Sequence, residues 1–336
     1  MRKAVIGVIL VTGLLAGSWI FAENRAVERV RALIEADQGI QATGIRPLRD
    51  PRQLGVHLSQ PQLSRPDLQL SLPWAQLSMA PLSATTARLE LPDTASLVSA
   101  GRRLELGQRL SEASLRLAPL HRLAPARLVL STHDLTLNGQ PLADRLDLRA
   151  ALGRLQNDAP RAAGAAYDLQ LDLQGVQPSA LALAGVDTGP VPGPLAARGV
   201  VRLWLDDVPT ADQPRPAIIG WQTEALTLDA GPVQLRVAGR LTRGTDGRAE
   251  GQLALYSADA DQMLEMASEI GLIPSQARLL LRAGLSQLGQ VPPATDIPGP
   301  DFPEPAPGEL RLAVMMRDGQ LMVAGVPVGP APVFLP

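Results

Sequence analysis

The sequence predicts a mainly β protein with a few helices, in which an elongated, curved antiparallel sheet of hairpins follows an N-terminal transmembrane helix. Three observations predict this fold. Apolar and polar residues alternate with a period of two, Asn-Gly and Asp-Gly pairs separate alternating segments, and an uncharged apolar run lies at the N-terminus. Leucine has only a weak preference for strands. The prediction therefore depends on the alternation of apolar and polar residues and on the turn residues, and not on strand propensity.

The N-terminal apolar run predicts where the rest of the chain is located. Residues 4–22 carry no charge and no proline, and the run lies at the lower end of the roughly 17–25 residues that span a bilayer as a helix. Arg2 and Lys3 precede it, which places the N-terminus in the cytoplasm. We therefore expect a single-pass inner-membrane protein with a periplasmic bulk, anchored by Ile6, Ile9, Leu14, Leu15, Trp19 and Phe21.

A cleaved signal peptide is the alternative interpretation of this run. Its apolar core is typically about 7–15 residues long and ends in a small-x-small site, and Ile20-Phe21-Ala22 is a poor version of that site. Trp19 and Phe21 resemble interfacial anchors, which favours a retained helix. A lipoprotein is excluded because the chain has no cysteine. In either case the rest of the chain crosses the membrane.

Composition excludes several classes of function. Without cysteine there are no disulfides, thiolate metal sites or cysteine nucleophiles. Lys3 is the only lysine, and a net charge of -2 with 3% aromatic residues argues against nucleic-acid binding. At 336 residues the exported part is long enough to bury a substantial core in one large domain or two smaller ones.

A charged stalk helix is predicted over residues 23–38, directly after the anchor. Val27, Val30 and Ile34 share one face of it, and Gly39 ends the pattern. We expect this helix to pack against the domain that it tethers. Binding of a partner protein is the alternative.

A periplasmic β-rich domain is predicted over residues 39–290. Its alternating segments place leucine on one side and polar groups on the other, as in antiparallel sheets with one covered face. The clearest predicted strands are residues 68–72, 87–91, 114–117, 127–130, 135–137, 146–149, 167–173, 201–205, 226–229, 233–237 and 252–256.

The connections predict a meander of hairpins. Asn138-Gly139 is the strongest short hairpin signal, because both residues accept positive φ in a type I′ turn. Asp246-Gly247 and Asp318-Gly319 lie between alternating arms in the same manner, and Gly231-Pro232 makes another tight connection. Sequential strands are therefore expected to be neighbours.

Two segments interrupt the strand pattern near the C-terminus. A helical pair is predicted near residues 259–289. Residues 291–308 hold so many prolines that an extended linker is expected there, before residues 309–336 return to the sheet as a C-terminal hairpin. Residues 190–194 form a shorter proline-rich segment, which we expect to separate two halves of the sheet.

The leucine sides of the strands form the candidate binding surface. Two short helices cannot cover the whole sheet, so the sheet either closes on itself or leaves apolar surface open. An open surface of this kind is a binding site. The candidate groove residues are Leu203, Leu226, Leu228, Leu235, Val237, Leu253 and Leu255. Met263, Met266, Met315, Met316 and Met322 fit either core filling, which we favour, or a lipid-facing groove.

A search for catalytic or metal-binding patterns gives nothing that favours an enzyme. The spacing of His57, His121 and His133 matches no metal motif. His133-Asp134 is expected to be a solvated polar pair, and Asp206-Asp207 a strand-end turn. Residues 284–289 miss the G-x-S-x-G elbow by one residue. We therefore predict a non-catalytic protein without cofactor or metal.

The unit from Val233 to Ile270 carries a resemblance to known proteins. Its strand at Gly239-Arg240-Leu241, its turn at Asp246-Gly247, its strand at residues 250–253 and its helix at residues 261–264 are similar to a unit that recurs in AsmA-like proteins. With the anchor and the ending at residues 326–332, the chain resembles an uncharacterised alphaproteobacterial family of anchored envelope proteins related to that superfamily. The resemblance implies a groove or half-barrel and a role in lipid movement or outer-membrane biogenesis.

The sequence therefore predicts a protein that binds or shuttles lipid-like molecules, or assists envelope assembly, through a concave leucine-rich face. Its expected partners are the inner membrane and phospholipid or other lipids, with no nucleic acid. The alternative is a scaffold protein with a closed, dry sheet that acts through protein partners.

Overall fold

The alternating segments fold as antiparallel strands, which confirms the mainly β prediction. In the structure, a computed structural model, strands account for 60% of residues, helices are few, and the strands pair in antiparallel fashion. The residues that the structure describes are 21–32, 34–35, 39–50, 52–65, 68–80, 85–99, 101–185, 191, 193–210, 216–259, 261–262, 265 and 291–334.

The chain divides into two compact units. Unit 1 holds residues 1–117 and 130–141, and unit 2 holds residues 118–129 and 142–336. The described residues contain nineteen strands. Those that lie mainly in unit 1 are β1 (Ile40–Gln41), β2 (Gly44–Pro47), β3 (Leu54–Ser59), β4 (Gln62–Arg65), β5 (Leu68–Ser71), β6 (Trp74–Met79), β7 (Thr86–Glu90), β8 (Thr94–Ser99), β9 (Arg102–Ala118) and the second half of β10 (Ala124–Leu137).

Unit 1 is a meander of long strands that bend in the middle. β3 pairs with both β2 and β6, while β4, which follows β3 after a bend, pairs with β1 and β5. β9 is long enough to pair with β8 through its first half and with β7 through its second half. Two short strands that follow each other along the chain, such as β3 and β4, are therefore the two halves of one long strand that is interrupted by a bend.

Prolines mark these bends. Pro61 and Pro73 lie in neighbouring strands, and each accepts a hydrogen bond across the bend, from the N–H groups of Leu72 and Gln60 at 3.0 Å. Gln60 has a φ of 45°. Proline lacks an N–H group, so it interrupts a ladder and is tolerated where the strand already departs from regular pairing.

The N-terminal helix, α1, covers residues 21–32 and 34–35 of the described chain. Its Glu23 is fully buried, and Oε1 of Glu23 accepts a hydrogen bond of 3.1 Å from the backbone N–H of Arg49. Nη1 of Arg49 lies 3.5 Å from the same carboxylate. The helix therefore packs against the connection between β2 and β3 of unit 1.

The predicted membrane segment falls on residues 4–20, which lie outside the described residues, and on the start of α1. Among the residues that the structure describes, no helix combines the length and the apolar character needed to cross a bilayer.

Unit 2 is a meander in which each strand pairs with the next along the chain. This order confirms the predicted neighbourhood of sequential strands. The strands are β11 (Gln140–Gly153), β12 (Ala165–Val176), β13 (Leu195–Leu205), β14 (Ile218–Ala230), β15 (Val233–Arg243), β16 (Ala249–Ser257), β17 (Leu310–Arg317), β18 (Gln320–Val323) and β19 (Val326–Pro330).

Two of the three predicted Asn-Gly and Asp-Gly turns have the backbone conformation of a type I′ turn, and the third differs. Asn138 and Gly139 have φ values of 52° and 75°, and Asp318 and Gly319 have values of 53° and 71°, as a type I′ turn requires. At Asp246-Gly247 only the glycine has positive φ, because the N–H of Gly247 bonds the carbonyl of Gly244 at 3.0 Å and closes a longer loop. The strand β19 was not predicted, since the turn before it places an alanine, Ala324, at positive φ.

Residues 190–194 do not separate two halves of the sheet. β12 and β13, which flank this segment, are paired neighbours from Leu173 and Ala197 onward. The connection between them also contains the short helix α2 (Pro178–Leu183). The predicted helical pair near residues 259–289 lies outside the described residues except for residues 259, 261–262 and 265, of which the last three are helical.

The proline-rich residues 291–308 are called the strap below. Val291 packs against the cluster of Leu312, Val323 and Ala324, and the residues from Ala294 onward lie against one face of the sheet in unit 2. The side-chain amide of Gln252 donates to the carbonyl of Ala294 at 2.7 Å and accepts from its N–H at 3.0 Å. The hydroxyl of Tyr256 donates to the carbonyl of Pro303 at 2.8 Å. Phe302 packs on a buried cluster that includes Ala238 and Tyr256. The strap is therefore held by the sheet along β16.

Ion pairs add to this attachment at the edges of the strap. Asp296 is 2.8 Å from Arg317 of β17, and Glu309, just beyond the strap, is 2.7 Å from Arg236 of β15. Both pairs join residues on different segments, so they resist separation of the strap from the sheet.

Replacing Gln252 by alanine is expected to loosen the strap. The substitution leaves the N–H and carbonyl of Ala294 without partners in a partly buried position, which costs about 1–3 kcal/mol in the free energy of unfolding. Hydrogen exchange of residues 291–308 should accelerate, while Gln234→Ala on an exposed site of β15 serves as the control. Equal exchange in both variants would contradict this role of Gln252.

Candidate functional site

The strand register of unit 2 places all the candidate groove residues on one face. Leu226 lies opposite Val237, and Val237 opposite Leu255. Leu228 lies opposite Leu235. Because side chains alternate between faces with a period of two, residues that are paired directly share a face. We call this the leucine face.

Cross-strand rows extend the leucine face over the strands from β11 to β17. Each row crosses the sheet from strand to strand through directly paired residues. One row is Leu148, Leu171, Gly199, Leu226, Val237, Leu255 and Leu312; a second is Leu152, Tyr167, Leu203, Trp221, Leu241, Gly251 and Met316.

The leucines of this face are mostly half-buried. Leu203, Leu226 and Leu228 are neither buried nor fully exposed, and the same holds for Leu235, Leu253 and Leu255, whereas Val237 is buried. Burial of a whole leucine side chain is worth about 1.5–3 kcal/mol, so half-buried leucines retain part of that free energy for a further contact. Leu235 and Leu255 pack against the buried cluster of Leu312, Val323 and Ala324. Among the described residues, apolar surface is therefore available mainly around Leu203, Leu226 and Leu228.

One end of the leucine face is closed by the C-terminal residues. Ala331 and Phe334 are buried against Leu241 and Met316. The N–H of Phe334 bonds the carbonyl of Gly247 at 2.9 Å, which fixes the tail to the loop between β15 and β16. Met316 is therefore part of a buried core at this end, which is the role that the sequence analysis favours for the methionines.

Glycines let the leucines lean across the face, and sequence analysis did not single them out. A Cβ on Gly239 would lie 2.7 Å from the Cα of Leu253, its cross-strand partner, and one on Gly199 would lie 2.9 Å from the Cα of Leu226. Isolated glycines inside an alternating strand signal such a close approach. That signal was present in the sequence.

The opposite face of the same strands is polar and carries paired charges. Arg202 binds Asp168 with two hydrogen bonds of 2.8 and 3.2 Å, and Arg198 contacts Asp172 at 3.3 Å. Both pairs are directly opposite across β12 and β13. A hydrogen bond from Gln174 lowers the pKa of Asp172 more than burial raises it, and Arg198 lowers it further. This face is therefore suited to contact with water and with the polar backbone groups of the strap.

The predicted anchor residues are largely outside the described residues. Ile6, Ile9, Leu14, Leu15 and Trp19 lie outside them. Phe21 is in α1 and is 62% exposed, with the guanidinium of Arg25 5.3 Å from its ring centroid.

The polar pairs weighed as catalytic candidates have other partners. Asp134 contacts Arg109 at 3.2 Å, on an exposed surface of unit 1. Oδ1 of Asp207 is 2.7 Å from Arg122, and Oδ1 of Asp206 accepts from the N–H of Ala217 at 2.9 Å, so both cap the turn after β13. Within the described residues no group of histidine and acidic side chains can hold a metal ion. Residues 284–289 lie outside the described residues.

Comparison with known proteins identifies the family. A family model described as an uncharacterized protein conserved in bacteria (DUF2125) matches residues 19–332. The chain belongs to the DUF2125 family. No curated protein and no solved structure matches it. The family match spans both units and the strap of this DUF2125 protein.

Gly239→Ala is expected to destabilise this DUF2125 protein. Gly239 has a φ of 147°, and a Cβ there would meet the backbone of Leu253 at 2.7 Å, so backbone strain and overlap together cost about 2–4 kcal/mol. Gly101→Ala is the control, because its φ is also positive at 74° but nothing lies within 4 Å, which leaves a cost of about 1 kcal/mol. Chemical denaturation measures both; equal losses would contradict the close approach on the leucine face.

Acidification is expected to weaken the contact between the strap and β15. Burial raises the pKa of Glu309, but hydrogen bonds from Arg236 and the N–H of Ala306 and the charge of Arg236 lower it overall, below its usual 4.5. The ionised carboxylate therefore stabilises the fold above that pH, and its contribution is lost as the pH falls through the lower folded-state pKa.

Glu309→Gln should accordingly make the fall in melting temperature below pH 4.5 less steep. Glu304→Gln is the control, since its side chain is 89% exposed and lies 3.9 Å from Arg311. An unchanged slope in the Glu309 variant would show that the pair with Arg236 does not contribute.

Proposed function

We propose that this DUF2125 protein is a non-catalytic cell-envelope protein that binds or shuttles lipid-like molecules through the leucine face of unit 2. The observation that carries the proposal is the set of cross-strand rows, in which half-buried leucines follow one another from strand to strand. Continuous apolar surface of this kind is characteristic of a site for an apolar ligand.

The extent of the rows fits a hydrocarbon chain. Neighbouring strands are about 4.8 Å apart, so a row from β11 to β17 extends over about 30 Å. The bilayer hydrocarbon core is also about 30 Å thick, so one acyl chain needs about half that length. One row is therefore long enough for the acyl chain of a phospholipid.

The chemistry of the two faces supports an apolar rather than a polar ligand on this side. The rows consist of leucine with some valine, aromatic, methionine and glycine residues, while the paired carboxylates and arginines, such as Asp168 with Arg202, project to the opposite face. A lipid tail loses no hydrogen bonds when it enters such a surface, and water leaves it with a gain in free energy.

Inner-membrane anchoring, the periplasmic location and the AsmA-like relationship belong to the same proposal. The N-terminal run of residues 4–22 supports the anchor, and the hairpin of β15 and β16 on which the resemblance depends supports the relationship. An anchor would hold the leucine face near its source of phospholipid.

Native mass spectrometry with lipid extraction tests the proposal on the full-length protein, purified without denaturation. Co-purifying phospholipid is expected, and Leu228→Asp should reduce it at least about tenfold, because a charge in an apolar site is strongly unfavourable. Thr227→Asp is the matched control: it is the adjacent residue on the opposite face, paired with Arg198 and Arg236, and should keep the lipid.

Circular dichroism of both variants shows whether they remain folded. A folded wild-type protein without lipid, or equal lipid in both variants, would contradict the proposal. The former result would favour a scaffold that acts through protein partners.

A further inference from the structure

Arg240 is an unusual arginine on the polar face of unit 2. It is only 8% exposed. Among the described residues its side chain has neither an ion-pair partner nor a hydrogen-bond acceptor. A buried charge normally has both, because removal from water costs several kcal/mol per ion.

The neighbouring arginines show what Arg240 lacks. Arg202 is paired with Asp168, and Arg236 with Glu309. The guanidinium of Arg240 instead lies 4.8 Å from the ring centroid of Trp204, which is 1% exposed. Stacking on an aromatic ring satisfies the charge in part but leaves the N–H donors of the guanidinium without a protein acceptor in the part of the chain that the structure describes. Burial lowers the pKa of Arg240, and Asp158 opposes this only through its charge.

A pocket of about 290 Å³ lies beside this side chain. The sheet supplies Arg240, Thr242 and Glu250, and the strap supplies a wall of Ile297 and Pro298. Since one water molecule takes up about 30 Å³ in the liquid, the space equals roughly ten waters. It is therefore the size of a small polar molecule or of a lipid headgroup.

Acidic groups around the pocket limit the charge of a ligand. Glu250 is a diagonal neighbour of Arg240, since Arg240 pairs with Gln252, and such neighbours are about 7–8 Å apart. Its carboxylate also has no ion-pair partner among the described residues. Asp296 and Asp318 lie at the rim, where both contact Arg317. A ligand that carries an anionic group alone would be repelled here, whereas a ligand in which an ammonium lies beside the anionic group fits.

We propose that this pocket, called the Arg240 pocket, binds a small zwitterionic group in which a phosphate or carboxylate lies next to a primary ammonium. The anionic oxygens accept hydrogen bonds from Arg240, and the ammonium faces Glu250. Phosphoethanolamine has this chemistry, either as a free molecule or as a lipid headgroup. Arg240, Thr242 and Glu250 project from the face opposite to the leucine face, so the inference does not depend on the proposed lipid-tail site.

Isothermal titration calorimetry of the full-length protein with O-phosphoethanolamine tests the inference. Binding is expected, with weaker or absent binding of inorganic phosphate and of ethanolamine alone. Arg240→Gln should weaken the binding of O-phosphoethanolamine at least about tenfold, the value of hydrogen bonds to a charged group. Glu250→Gln should also weaken the binding of O-phosphoethanolamine. The affinity of this variant for O-phosphoethanolamine should exceed its affinity for inorganic phosphate by a smaller factor than in the wild-type protein. Absence of binding, or binding that is equal in the Arg240 variant, would overturn the inference.

A stability measurement separates a binding arginine from a structural one. Without ligand, Arg240→Met should maintain or raise the melting temperature, because it removes a buried charge that has no ion-pair partner among the described residues. Arg202→Met is the control and should lower the melting temperature, because it leaves Asp168 unpaired. A loss in the Arg240 variant as large as that in the control would assign Arg240 a structural role and overturn the inference.

Lysophosphatidylethanolamine distinguishes the two sources of the ligand. Binding that depends on Arg240 and is tighter than that of O-phosphoethanolamine supports a lipid headgroup. Binding that depends on Arg240 only for the free molecule supports a soluble zwitterion. Lysophosphatidylcholine is the control, because its quaternary ammonium cannot donate a hydrogen bond to Glu250.

Discussion

The difference between the two faces of one antiparallel sheet determines most of what this protein can do. Directly paired residues share a face, so leucine at every second position of successive strands produces rows that cross unit 2 from β11 to β17. Apolar rows must be covered or must bind something, because exposure of leucine to water is unfavourable. The C-terminal residues cover one end, and half-buried leucines make up the middle.

The polar face carries charged side chains, which need partners of opposite charge rather than an apolar cover. Its carboxylates and arginines neutralise each other across neighbouring strands, as at Asp168 and Arg202. This allows an irregular proline-rich strap to lie against the sheet, because Gln252 and Tyr256 supply the hydrogen bonds that a regular neighbouring strand would otherwise make. The strap in turn provides one wall of the Arg240 pocket. The two candidate sites therefore depend on the same alternation but use different chemistry.

Much of the fold was accessible from sequence, because period two and Asn-Gly or Asp-Gly turns have direct backbone causes. The face shared by Leu226 and Leu235 followed from that alternation. The bends of unit 1 did not follow, since Pro61 and Pro73 gain their meaning only when neighbouring strands align. The same is true of the strap, whose prolines indicated an extended segment but not the amides and hydroxyls that hold it.

The isolation of Arg240 was beyond sequence analysis for a related reason. A single arginine in an alternating strand is ordinary, and its lack of an ion-pair partner among the described residues emerges only when Trp204 from β13 and the strap are placed around it. By contrast, Gly199 and Gly239 carried a readable signal as glycines inside regular strands. Long-range packing thus limits prediction more than local conformation does.

Photocrosslinking in living cells tests the leucine face most directly. A benzophenone amino acid is incorporated at position 228 or, as the matched control, at position 227, and adducts are analysed by mass spectrometry after irradiation. The account predicts phospholipid adducts at position 228 and none at position 227. Adducts only with protein at position 228, or lipid adducts of equal yield at both positions, would contradict a lipid-binding leucine face.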